Sequence, residues 1–227
     1  MKKFLTVLIP LLLVAFAFAG CANEQEPTTP EDNDLTVDEG PTDNQDEVVV
    51  DGINHIVFFE SNIASLTPAD GAYSLADFVD ATFNNAPTGE VTICATDGYK
   101  ATGTVEEVLA LGVTLEGEDA PSLTGEMSNP GLAVKNILYI QFANEVIYFV
   151  ESDFTFGEVV TNLGLDSSKV FTFAASDGFE WPAVDAEDVE KAEVKCPATT
   201  GSSVNVFFYS MGDQGADLRD CVSVSIQ

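Results

Sequence analysis

Val91-Thr92-Ile93-Cys94-Ala95-Thr96-Asp97-Gly98-Tyr99 and Phe171-Thr172-Phe173-Ala174-Ala175-Ser176-Asp177-Gly178-Phe179 carry one pattern twice. Each begins with an alternating, β-favouring run, continues through a small residue and a hydroxyl, and ends in Asp-Gly followed by an aromatic ring. Alternation at period two reads as a half-buried strand, and Asp-Gly reads as a tight turn because glycine takes positive φ without steric cost. The second copy keeps the apolar positions and the turn, so the chain repeats a structural unit and not merely a motif.

Working outward, the matches continue in order. Ser74 and Asp77 upstream of the first copy, and Thr155 and Glu158 upstream of the second, have the spacing of a helix capping box. Thr104 with Glu107 and Asp185 with Asp188 repeat that spacing downstream. Phe58-Phe59-Glu60-Ser61 recurs as Phe149-Val150-Glu151-Ser152. Each unit closes with a β-forming run, Val134 to Phe142 and Val204 to Tyr209, and Cys221 to Gln227 alternates as a half-exposed edge or face strand. The expected order per unit is strand, helix, strand, Asp-Gly turn, short helix, strand, strand. The fold class is therefore α+β: two tandem, internally homologous, β-rich units over 49–143 and 144–227, packed together in mixed sheets with short helices. Asn144-Glu145 between two β-forming runs predicts that the last strand of one unit turns directly into the first strand of the next.

The strand, the Asp97-Gly98-Tyr99 or Asp177-Gly178-Phe179 turn, the upstream Leu75-Ala76-Asp77-Phe78-Val79 and the downstream Thr104 to Leu109 resemble a stretch of the sulfite-oxidase-like molybdopterin-binding family. The resemblance implies a related fold and, as an alternative function, an accessory or enzyme domain of molybdopterin-dependent oxidoreductases. It does not carry that chemistry. The family holds molybdenum through a cysteine on the strand before this helix, whereas Gly52 to Ser61 has none; it grips phosphate with arginines, whereas Arg219 is the chain's one arginine.

The amino terminus is a separate matter. Lys2 and Lys3, the apolar run Phe4 to Phe18, and Ala19-Gly20 have the layout of a cleaved export signal over 1–20. Phe18-Ala19-Gly20-Cys21 resembles the lipobox of bacterial lipoproteins, which implies a lipidated Cys21, a membrane partner through the acyl chains, and residence at the extracytoplasmic face of a cell membrane. Acyl chains contribute about 0.8 kcal/mol per buried methylene. Residues 21–48 comprise Cys21 and then, from Ala22 to Val48, an acidic segment rich in Pro, Thr, Asn and Gln and almost devoid of apolar residues; such a segment cannot repay its ordering entropy and reads as a disordered tether.

Charge excludes some roles. The chain has 38 Asp and Glu against 8 Lys and Arg, a formal −30. Residues 49–227 alone hold 28 acids against six bases, a formal −22. Such a surface does not neutralise phosphates, so nucleic acid is not expected as a partner. One histidine, His55, removes multi-histidine metal sites. No G-x-S-x-G nucleophile motif is present, and no catalytic, metal or cofactor residues are assigned. Asp177, Asp185, Glu187 and Asp188, and likewise Asp213, Asp217 and Asp220, lack the alternation and glycine of an EF-hand loop. Cys94 lies mid-strand and reads as a small core residue. Cys196 and Cys221 are candidates for a disulfide, which over some 25 residues would contribute about 3 to 4 kcal/mol. Gly117 to Gly131 reads as a loop, and Trp181 as a core plug. These features predict an exported, membrane-anchored, non-enzymatic binding or interaction module that meets an extracellular ligand or protein.

Overall fold

The computed structural model describes residues 52–83, 85–181, 186–197, 203–208 and 216–227; Cys21, the leader and the tether lie outside them. The first half runs β1 (His55–Phe58), α1 (Phe59–Asn62), β2 (Tyr73–Ser74), α2 (Leu75–Thr82), β3 (Glu90–Ala95), β4 (Lys100–Thr104), α3 (Val105–Leu109), β5 (Gly112–Thr114), β6 (Ser122–Thr124) and β7 (Ile137–Phe142). The second runs β8 (Glu145–Tyr148), β9 (Phe154–Thr155), α4 (Phe156–Leu163), β10 (Phe171–Ala175), α5 (Ala186–Lys191), β11 (Glu193–Lys195), β12 (Val204–Phe208) and β13 (Ala216–Ile226). This is a strand-rich α+β fold with mixed sheets and short helices.

The helices start where hydroxyls stop the strands. Ser74 accepts from the amide of Asp77 at 3.2 Å. Thr104 accepts from the amide of Glu107 at 3.2 Å, and Glu107 Oε2 accepts in return from the amide of Thr104 at 2.9 Å. Glu158 Oε2 accepts from the amide of Thr155 at 2.7 Å. Asp185, expected to cap the last helix, lies outside the described residues.

One large sheet runs β4, β3, β7, β8, β1, β13, β12, β11, β9, with β10 on the free side of β13. At its centre β1 and β8 lie side by side and parallel, His55 opposite Glu145. Each is flanked by an antiparallel strand, β8 by β7 and β1 by β13. Those in turn pair antiparallel with β3 and β10. β1, β8, β3 and β10 therefore all point the same way. Two further pairings occur in each half, β2 with β5 and β5 with β6, then β9 with β11 and β11 with β12, whereas β3 with β4 and β12 with β13 have no strand counterpart among the described residues. The hairpin expected between the halves is present, with Ala143 at φ 44° in its turn.

Period two along the central strands buries both faces of the sheet. Val57, Phe59, Ile147 and Phe149 point to the face covered by α2 and α3. Ile56, Phe58, Val146, Tyr148 and Val150 point to the face covered by α4 and α5. Phe58 and Phe149, matched in the sequence repeat, thus face opposite sides. On one face Phe59 stacks on Phe78 at 4.7 Å and meets Phe149 at 4.8 Å; on the other Phe156 meets Phe173 at 4.9 Å and Phe171 at 5.6 Å. Truncating such a buried ring costs about 3 to 5 kcal/mol.

Three details differ from the sequence reading. Cys221 to Gln227 belongs to an interior strand and not an edge, because β13 has β1 on one side and β10 on the other. It is β13, not the run from Val204, that repeats the pairings of β7; composition favours both runs as strands and says nothing about which neighbour each finds. The stretch 117–131 is not only loop, since β6 pairs with β5. Trp181 is partly buried, its ring stacked on Phe208 at 5.3 Å.

Candidate functional site

Because β3 and β10 point the same way as β1 and β8, both Asp-Gly turns emerge at one end of the sheet. They are built alike. Asp97 Oδ1 accepts from the amide of Tyr99 at 2.9 Å, as Asp177 Oδ1 does from the amide of Phe179 at 2.9 Å. The carbonyls of Tyr99 and Phe179 accept from Ala95 and Ala175 at 2.9 and 2.8 Å. Gly98 and Gly178 sit at φ 85° and 84°, where a side chain is strained. The next residues out, Thr96 and Ser176, donate to the carbonyls of Asn136 and Asp220 at 2.8 and 2.9 Å. Asn136 and Asp220 both have positive φ, 49° and 54°, which Asn and Asp tolerate best after glycine. Each turn is thereby fixed at its own base and to a neighbouring strand, and each holds an aromatic ring out to solvent: Tyr99 is 53% exposed and Phe179 52%.

Where β1 and β8 end at the same pole, the chain buries an acid. Glu60 is 7% exposed, and its Oε2 has no hydrogen-bond partner. Backbone hydrogen bonds at Glu60 and Val150 favour its charged form, but burial outweighs them and, with Glu151 adding repulsion, pushes its carboxyl up to about 7. Glu151 is its counterpart in the repeat, and burial raises that carboxyl as well. The Phe-Phe-Glu-Ser repeat signalled this pair of acids at the ends of apolar strands; that one would be buried was not evident, because an acid following a strand usually reaches water.

Cys196 lies at this pole too. Its amide donates to Asp153 Oδ1 at 2.8 Å, and its thiol donates to the carbonyl of Val150 at 3.2 Å. Burial and the surrounding carboxylates of Glu60, Asp153 and Glu151 raise its pKa. Cys221 is buried in β13, its thiol directed to the carbonyl of Ser223 and pushed up to about 12 by burial. Cys94 is buried on β3, and all three are free thiols, so the expected bridge between Cys196 and Cys221 is not formed in this structure.

His55 sits at the opposite pole, where β1 begins. Its Nδ1 is 3.8 Å from Glu145 Oε1 and has no hydrogen-bond partner. Burial lowers the His55 pKa and raises that of Glu145, so both groups are pushed toward neutrality and the contact is not a firm ion pair. Near this pole a cavity of about 460 Å³ opens among Ile53, Asn54, Gln141, Leu165 and Lys169.

Among the described residues no group of three His, Cys, Asp or Glu side chains is placed to hold a metal ion. The donor set also does not fit a molybdopterin: β1 carries no cysteine, Cys94 is buried, and Arg219 is engaged with Asp217 at 3.0 Å. No family model, no curated protein and no solved structure matches the chain.

Proposed function

We propose that the chain is a lipid-anchored, extracytoplasmic binding module made of two copies of one α+β unit, joined through a shared sheet and presenting its paired aromatic turns to a partner. One observation carries this reading. Gly52 lies beside the start of β1, while Tyr99 and Phe179 stand at the other pole, where the parallel strands end. A tether fixed to a membrane through Cys21 attaches at the first pole and leaves the second for contact. The acidic composition of residues 22–48 supports the reading: an ideal coil of 27 residues reaches about 25 to 30 Å, and like charges lengthen such a coil.

The anchor is tested by detergent phase separation of the full-length protein made in its own cells. Wild type is expected in the detergent phase and Cys21→Ala in the aqueous phase. Equal partition of the two removes the lipid anchor from the account.

A further inference from the structure

The two turns are alike in backbone and unlike in charge. Beside Phe179 lies a shallow cavity of about 360 Å³ whose lining includes Asp177, Asp217, Arg219 and Asp220. Arg219 Nε donates to Asp217 Oδ2 at 3.0 Å, so that pair is self-compensated and Asp177 and Asp220 leave this half of the pole negative. Around Tyr99 the balance is different. Lys100 follows the ring, Lys135 pairs with Asp119 at 2.6 Å, and Asn136 stands where the other half has Asp220. From β3 to β10 there are five strand steps, which at about 4.8 Å each separate the turns by about 24 Å. An extended peptide covers that distance in about seven residues.

An exposed ring between carboxylates selects for a cation, since the face of an aromatic ring attracts ammonium and guanidinium groups and the carboxylates add Coulomb attraction. Resting on the reading of this pole as the binding face, we propose that it docks an extended, basic segment of a partner protein. A lysine or arginine sits against Phe179 between Asp177 and Asp220, and an uncharged stretch about seven residues away lies on Tyr99. The formal −22 of residues 49–227 steers such a segment in and repels acidic ones.

Trp181, the chain's one tryptophan, has its ring centre 6.3 Å from that of Phe179 and reports on this site. The test titrates full-length protein in detergent micelles with a labelled twelve-residue peptide of lysine and alanine, following peptide anisotropy and Trp181 emission. Saturable binding with a change in Trp181 emission is expected. Phe179→Ala and Asp177→Asn/Asp220→Asn are expected to weaken it about tenfold or more, Tyr99→Ala about threefold, and Tyr99→Phe not at all. Asparagine at 177 keeps an oxygen for the Phe179 amide, and both rings are exposed, so these variants keep the fold. Glu90→Gln/Asp166→Asn at the other pole is expected to change affinity less than twofold. Absence of saturable binding, or equal binding of a glutamine-alanine peptide, overturns the basic partner and leaves the binding face to be judged by crosslinking. Binding that ignores the ring variants, or that weakens equally with the opposite-pole variant, overturns both, because it is attraction to bulk charge.

Discussion

At Glu60 burial and ionisation conflict. Its carboxyl sits at about 7 in the fold against 4.5 as the ordinary value, chiefly through burial. A group that holds its proton more tightly when folded stabilises the fold below its unfolded pKa. That stability is lost as the pH rises through 7. The shift corresponds to about 3 kcal/mol. Wild type is therefore expected to lose stability between pH 4.5 and 7.5. Glu60→Gln, which keeps an acceptor for the Val150 amide, is expected to flatten that slope and to be more stable than wild type at pH 8 by about 2 to 3 kcal/mol. Urea unfolding at pH 5 and pH 8 reads the difference, and parallel slopes for the two proteins would show that Glu60 is charged in the fold at little cost. In sequence this residue was visible only as one half of a repeated Phe-x-Glu-Ser. Its burial depends on Val150 and Cys196, 90 and 136 residues away in the chain, and local pattern does not encode such neighbours.

Among the elements, the two halves differ in how closely their helices approach. Gly157 in α4 is open on no side toward α5: a Cβ there would lie 2.7 Å from the carbonyl oxygen of Glu190. The corresponding residue of α2 is Ala76. Gly157→Ala is expected to force the helices apart and cost about 1 to 3 kcal/mol. Gly98→Ala and Gly178→Ala meet no atom within 4 Å, so each costs only the backbone strain of its positive φ, about 1 kcal/mol. Far apart, the two turn substitutions should add. Chemical denaturation of the three single variants and the double turn variant checks both points; a Gly157→Ala protein as stable as wild type would mean that α5 sits further from α4 than described. The helices, the turns and the alternating strands were legible because each is signalled within a few residues: Ser74, Thr104 and Thr155 as caps, Asp97-Gly98 and Asp177-Gly178 as turns. The partners of the strands were not. β13 and the run from Val204 have similar compositions, and only the three-dimensional pairing puts β13 between β1 and β10.

For the whole molecule, the parallel pairing of β1 with β8 decides which turns share a pole. It aligns β3 and β10 with them and so brings two turns, 80 residues apart in sequence, to one pole while β1 begins at the other. Both Asp-Gly turns and the aromatic residues that follow them were readable from the sequence; their placement at one pole was not, since an antiparallel β1 and β8 would have sent them to opposite poles. The formal charge of −30 divides along the chain, with ten acids between 22 and 48 and a negative excess around Phe179. The most direct test places a photoreactive phenylalanine analogue singly at 99, 179, 90 and 166 in the full-length protein in intact cells. Positions 99 and 179 should give the same discrete crosslinked product, and positions 90 and 166, at the pole where β1 begins, should not. A product that forms equally from all four positions, or from 90 and 166 alone, would contradict the assignment of the paired turns as the binding face.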